Sequence, residues 1–209
     1  MALPTASPER QLSHQRSIDV RVYSRGTGLW EVDATVRDVR AKDAHTATGV
    51  LPAGQPIHDM LLRLVVDEQF NVIEAGARTA AQPYPGACEN HGDTYGQLVG
   101  LNLMRGFRRA VRERVGGIKG CTHITELSQV LPTAVMQAFA GQVVDVRGRD
   151  AGSAQPMQID GCHALRADGA VVAKFYPRWS REPGHAAGAA PAPVGQPEPK
   201  PFPKPESPP

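Results

Sequence analysis

The chain of 209 residues has little of several things, and each shortage excludes a class. No run approaches the ~20 consecutive apolar residues that a membrane-spanning helix needs. The opening MALPTASPERQLSHQ has no apolar core of the kind a secretory signal carries, so the expected location is the cytoplasm. Aromatic residues make up 5%, too thin for base-stacking platforms. No sign of charge dominates: 23 Lys and Arg against 21 Asp and Glu leave +2, which argues against a nucleic-acid binder driven by bulk charge. The one basic cluster, Arg105, Arg108, Arg109, Arg112 and Arg114, encloses Glu113 and reads as a solvated helix face. Cysteines number three, Cys88, Cys121 and Cys162; an odd, low count fits reduced thiols kept for packing, metal or reactivity.

Proline is plentiful but uneven. Ten of the 19 fall between Pro183 and Pro209, among few residues able to anchor a core. Such a segment cannot bury enough apolar surface to offset the entropy of ordering, so 181–209 is expected to be a disordered, Pro-rich tail. Residues 1–15 read as a flexible arm, which leaves 16–180 as a single domain.

Within that domain Ile18, Val20 and Val22 alternate, then a Gly-containing turn leads to Leu29–Val36. A second hairpin pairs Met60–Val66 with Val72–Thr79 across Asp67–Asn71. Tyr95, Val99, Leu103, Phe107 and Val111 recur every four residues, the pattern of an amphipathic helix over 94–115 that Gly116-Gly117 would end. Ile124, Leu127, Leu131, Val135 and Phe139 predict a second helix just after Cys121, with Pro132 positioned to kink or split it. Strands followed by helices predict an α+β fold, a small antiparallel sheet packed against two or three helices.

The candidate metal ligands are His58, Cys88, Cys121, His123, Cys162 and His163. Each stands at the end of an expected element, next to Gly or Pro, and strand ends and helix N-termini are where side chains converge. Cysteine with histidine is the usual donor set of tetrahedral zinc or of iron. Read singly, Cys121 is a small apolar residue at a helix start and the others are surface residues. A Cys121–His123 thiol and base is a further possibility, although residues two apart at a helical start point away from each other, which would favour His58 or His163 as the base. Asp59 and Glu126 are candidate general bases.

Residues 54–88 (GQPIHDMLLRLVVDEQFNVIEAGARTAAQPYPGAC) and 98–127 (LVGLNLMRGFRRAVRERVGGIKGCTHITEL) resemble the bacterial domain-of-unknown-function family numbered 2889. The order of strand, acidic turn, strand, loop cysteine, helix and helix-opening cysteine also resembles iron–sulfur scaffold proteins of the IscU/NifU type and their SufU relatives. That resemblance implies a SufE/NifU-like fold with cluster ligands near His58, Cys88 and Cys121. Pro56 and His58 stand where the scaffold has a cysteine and an aspartate, so a mononuclear zinc or iron suits the set as well as an Fe–S cluster. The resemblance implies a sulfur- or metal-handling accessory protein whose partner is a cysteine desulfurase or a client enzyme. The alternatives are a metal-dependent hydrolase or hydratase with an open coordination position, and a metal-free protein-binding module.

Overall fold

The computed structural model describes residues 3–148 and 154–181. The Pro-rich tail from 182 onward lies outside the described residues. Two compact units divide between Val144 and Asp145.

The first unit is built on a four-stranded antiparallel sheet in the order β1-β2-β5-β6, where β1 is His14–Ser24, β2 Leu29–Arg40, β5 Pro56–Asp67 and β6 Val72–Ala81. A separate two-stranded ribbon pairs β3 (Ala44–Thr46) with β4 (Gly49–Leu51). Both expected hairpins form, each longer than its apolar core because cross-strand pairing continues through the polar ends. The sheet has two unlike faces, as period-2 alternation requires. Val32, Ala34 and Val36 on β2 and Met60, Leu62, Leu64 and Val66 on β5 are buried on one face. The other carries a charged lattice in which Arg63 grips Asp33 at 2.6 Å through two bonds.

Helices α1 (Phe107–Val115), α2 (Thr122–Ser128) and α3 (Leu131–Phe139) supply the rest of the core through residues such as Phe107, Val111, Ile124, Leu127, Val135 and Phe139. The α+β architecture is therefore as the sequence predicts. The helix over 94–115 is not. The chain makes a 3-10 helix over Cys88–Leu98, turns through Gly100 at φ 80°, and enters α1 only at Phe107. Tyr95, Leu103, Phe107 and Val111 are all buried, so their spacing records burial across a break that a non-glycine residue would resist. Pro132 splits the second helix as its missing N–H dictates, sitting in the first turn of α3. On the basic helix, Arg108 donates to the Gln129 carbonyl, Arg114 to those of Gln97 and Val99, and Arg109 pairs with Glu113.

The second unit is small. Ile159, Ala167 and Val172 form its core, with α4 over Ala170–Phe175 and short 3-10 turns at His163–Leu165 and Pro177–Trp179. No helix among the described residues is long and apolar enough to cross a membrane.

Candidate metal centre

The inward stripes of three adjacent strands turn polar at the same end of the sheet. On β1 the stripe Val22, Val20, Ile18 ends in Arg16; on β2 Val32, Ala34, Val36 ends in Asp38; on β5 Leu64, Leu62, Met60 ends in His58. Register places Arg16 opposite Asp38 and Asp38 opposite His58, one row across the sheet. A bulge after Asp38 closes this end of the β2–β5 ladder.

Asp38 is the hub of the row and is 2% exposed. Arg16 donates Nε to Oδ1 and Nη2 to Oδ2, both at 2.8 Å. His58 Nδ1 lies 3.0 Å from Oδ2, and His14 Nε2 3.2 Å from Oδ1. Arg16 donates twice to the carboxylate, and the two imidazoles lie within reach of its remaining acceptor positions. The Arg16 bonds, then its charge and His58, hold the Asp38 carboxyl below its ordinary range against the opposing effect of burial. An ionised Asp38 favours a proton on the His58 Nδ1 that faces it, and in that tautomer Nε2 is the nitrogen able to bind an electrophile.

The second half of the site comes from the start of α2, which packs across β2 and β5. The His123 ring lies 3.8 Å from that of His58, centroid to centroid. Burial, with the neighbouring His58 and Arg16, lowers the His123 pKa and favours neutral imidazole, the form that binds metal. One ligand atom each of Asp38, His58 and His123 lies within 4.8 Å of the other two. Cys121 Sγ is 3.8 Å from His123 Nδ1. This pair meets although it is only two residues apart, contrary to the expectation for a regular helical start, because Cys121 is the N-cap of α2 and has extended backbone (φ −79°, ψ 128°).

Cys121 is held from behind by Tyr95, which is 1% exposed. The Cys121 N–H donates to the Tyr95 hydroxyl at 2.9 Å, and that hydroxyl donates to the Cys121 carbonyl at 3.0 Å. Gly120 makes the approach possible, since a Cβ there would sit 3.0 Å from the hydroxyl and 2.7 Å from the Val115 carbonyl oxygen. Replacing Tyr95 with phenylalanine strands the Cys121 N–H, while the Cys121 carbonyl keeps its bond from the Thr125 N–H at 2.9 Å, and a loss of about 1–3 kcal/mol in denaturant unfolding is expected.

Two of the six expected ligands, His58 and His123, therefore share one cluster with Asp38, and Cys121 touches that cluster through His123 alone. Cys88 begins the 3-10 helix, half-buried, and belongs to no cluster of three or more potential ligands among the described residues. Cys162 and His163 are exposed in the second unit and belong to none either. Of the candidate bases, Glu126 Oε2 lies 3.3 Å from Arg16 Nη1 and Asp59 lies 3.9 Å from Arg37. A cleft of about 320 Å³ beside the β3–β4 ribbon is lined by residues such as Thr46, Val50, Pro56 and Pro83, and none of the candidate ligands lines it.

Residues 14–137 match the family model described as Protein of unknown function (DUF2889), well over half of the 209-residue chain, and the chain belongs to that family. The matched span begins at His14 and contains Arg16, Asp38, His58, Tyr95, Cys121 and His123; Cys162 and His163 fall beyond it. No curated protein and no solved structure matches the chain.

Proposed function

We propose that this DUF2889 protein binds one transition-metal ion through His58, His123 and Cys121, with Asp38 orienting His58 from behind. The observation that carries the reading is the cluster itself: Asp38, His58 and His123 within 4.8 Å of one another, and a thiol 3.8 Å from His123 Nδ1. Bonds of about 2.3 Å to sulfur and about 2.0 Å to nitrogen, at tetrahedral to trigonal angles, separate two donor atoms by about 3.5–3.8 Å. Asp38 is spatially within the cluster, but both of its oxygens are already engaged by Arg16, and His58 lies 3.0 Å from Oδ2. It therefore serves as the carboxylate behind a ligating histidine, a recurrent arrangement that fixes the tautomer and raises ligand basicity.

Zinc and ferrous iron both accept this donor set. A mononuclear ion suits it better than a cluster, since a single cysteine reaches the site. The corresponding role is that of an accessory protein that handles metal or sulfur for a partner enzyme, such as a cysteine desulfurase or its client. The cleft gives the hydrolase alternative no support, because none of the ligands lines it.

Elemental analysis of purified protein tests the reading. About one equivalent of metal per chain is expected, with His123→Ala and Cys121→Ser falling to background while Cys88→Ser and Cys162→Ser retain the ion. Retention by His123→Ala, or loss with Cys88→Ser instead, would place the site elsewhere.

A further inference from the structure

Met60 takes no part in the ligand set above, yet it touches it. Cys121 Sγ lies 3.7 Å from Met60 Sδ and 3.8 Å from His123 Nδ1. We propose that Cys121, Met60 and His123 form a binding site for monovalent copper. The inference rests on the reading of Cys121 and His123 as ligands, puts Met60 in the place of His58 for this ion, and names the ion.

Geometry is the first argument. A trigonal ion bound to two sulfurs at about 2.3 Å and an imidazole nitrogen at about 2.0 Å holds its donor atoms about 3.5–4.0 Å apart. Both distances in the structure fall in that interval, so the ion requires little rearrangement between the sulfurs or between Cys121 and His123. Donor chemistry is the second. Thioether sulfur is a soft, weakly basic ligand that adds little to zinc, whereas thiolate with thioether selects monovalent copper.

Charge and burial are the third. One thiolate, one thioether and one neutral imidazole around a monovalent cation form a complex with no net charge. Such a complex can sit against the core without the desolvation cost of the single net positive charge that a divalent ion with the same donors would leave. Met60 is 1% exposed and packs into the main core, whereas Cys121 and His123 are half-buried. The ion would enter past the cysteine and histidine and meet the thioether on the core side. The nearby Arg16 guanidinium, which would repel a cation, is already paired with Asp38.

The test titrates the full-length protein anaerobically with monovalent copper against a chromogenic chelator, in parallel with zinc. Leucine replaces methionine at nearly constant volume, so Met60→Leu should fold normally, and zinc binding by the variant reports that it has. Wild-type protein is expected to take up one copper. Met60→Leu should weaken copper binding by about tenfold or more while shifting zinc affinity by less than about twofold. Cys121→Ser should lose both metals. Unchanged copper affinity in Met60→Leu, or a wild-type protein that binds zinc and no copper, overturns the copper site and leaves the metal centre standing. A wild-type protein that binds neither ion overturns both.

Discussion

Asp38→Ala is expected to lower unfolding stability by about 2–4 kcal/mol, which for a chain of this size is a fall in Tm of about 5–15 °C. Removing one partner of a fully buried ion pair commonly costs about 3–5 kcal/mol, because the other charge is left without compensation. Arg16 keeps 37% of its side chain exposed and recovers part of its hydration, which places the expected value lower. Arg16→Ala should cost a comparable amount, since it leaves the buried carboxylate without its guanidinium and with only His58 and His14 in reach. A double-mutant cycle between positions 16 and 38 should show coupling beyond additivity, because the two side chains share a pair of hydrogen bonds.

Acid should act in the same direction as the substitution. The folded state holds the Asp38 carboxyl below its unfolded value, chiefly through the Arg16 hydrogen bonds. A lowered folded pKa makes the stability contribution complete above the ordinary carboxylate range of about 4 and removes it as pH falls below that through the Asp38 pKa. Asp38→Ala should therefore flatten this part of the acid limb of a stability–pH curve. A variant that keeps the wild-type slope below about pH 4 would show that Asp38 is not the group responsible.

Phe139→Ala is expected to cost about 3–5 kcal/mol, a larger effect with a different cause. Phe139 is fully buried and stands between Trp30 and Phe70, with ring centroids 5.0 Å and 4.9 Å away. Truncation removes the apolar contact of a whole ring and leaves a cavity that β2, β5 and α3 fill only in part. Trp30 and Asp38 lie on one strand eight residues apart, about 26 Å at 3.3 Å per residue. The aromatic cluster and the Asp38–His58–His123 cluster therefore occupy opposite ends of the sheet. Metal content per folded chain should be unchanged in Phe139→Ala. A parallel loss of metal and stability in this variant would mean that the site depends on the whole core rather than on its local frame.

The sheet was legible from sequence because alternation over Ile18–Val22, Leu29–Val36 and Met60–Val66 is a direct imprint of one buried face. The same rule could have exposed the hub of the site. Carried two residues past Val36 it reaches Asp38, and carried two residues before Met60 it reaches His58. His58 drew notice for its chemistry, whereas Asp38 reads as one more charged residue in VRDVR. Arg16 was placed at the edge of a flexible arm, because a single strand's end carries no signal about its neighbour's register. His123 and Cys121 were recognisable by type but not as a touching pair, since their contact depends on the extended backbone of an N-cap. Cys88 stands out by its chemistry and its place before an expected helix, and a resemblance in element order reinforces it. The path from it to α1 runs through a 3-10 helix and the Gly100 turn, not the continuous helix that the four-residue spacing of Tyr95, Val99, Leu103, Phe107 and Val111 suggests, and Val99 is exposed.

Anomalous diffraction from metal-loaded crystals, recorded on both sides of the absorption edge of the bound ion, tests the metal centre most directly. The expected result is one peak within bonding distance of Cys121 Sγ, His123 and His58 Nε2, with Asp38 still held by Arg16 and bonded to His58 Nδ1. A peak at Cys88 or Cys162, or no peak at the row formed by Arg16, Asp38 and His58, would contradict it.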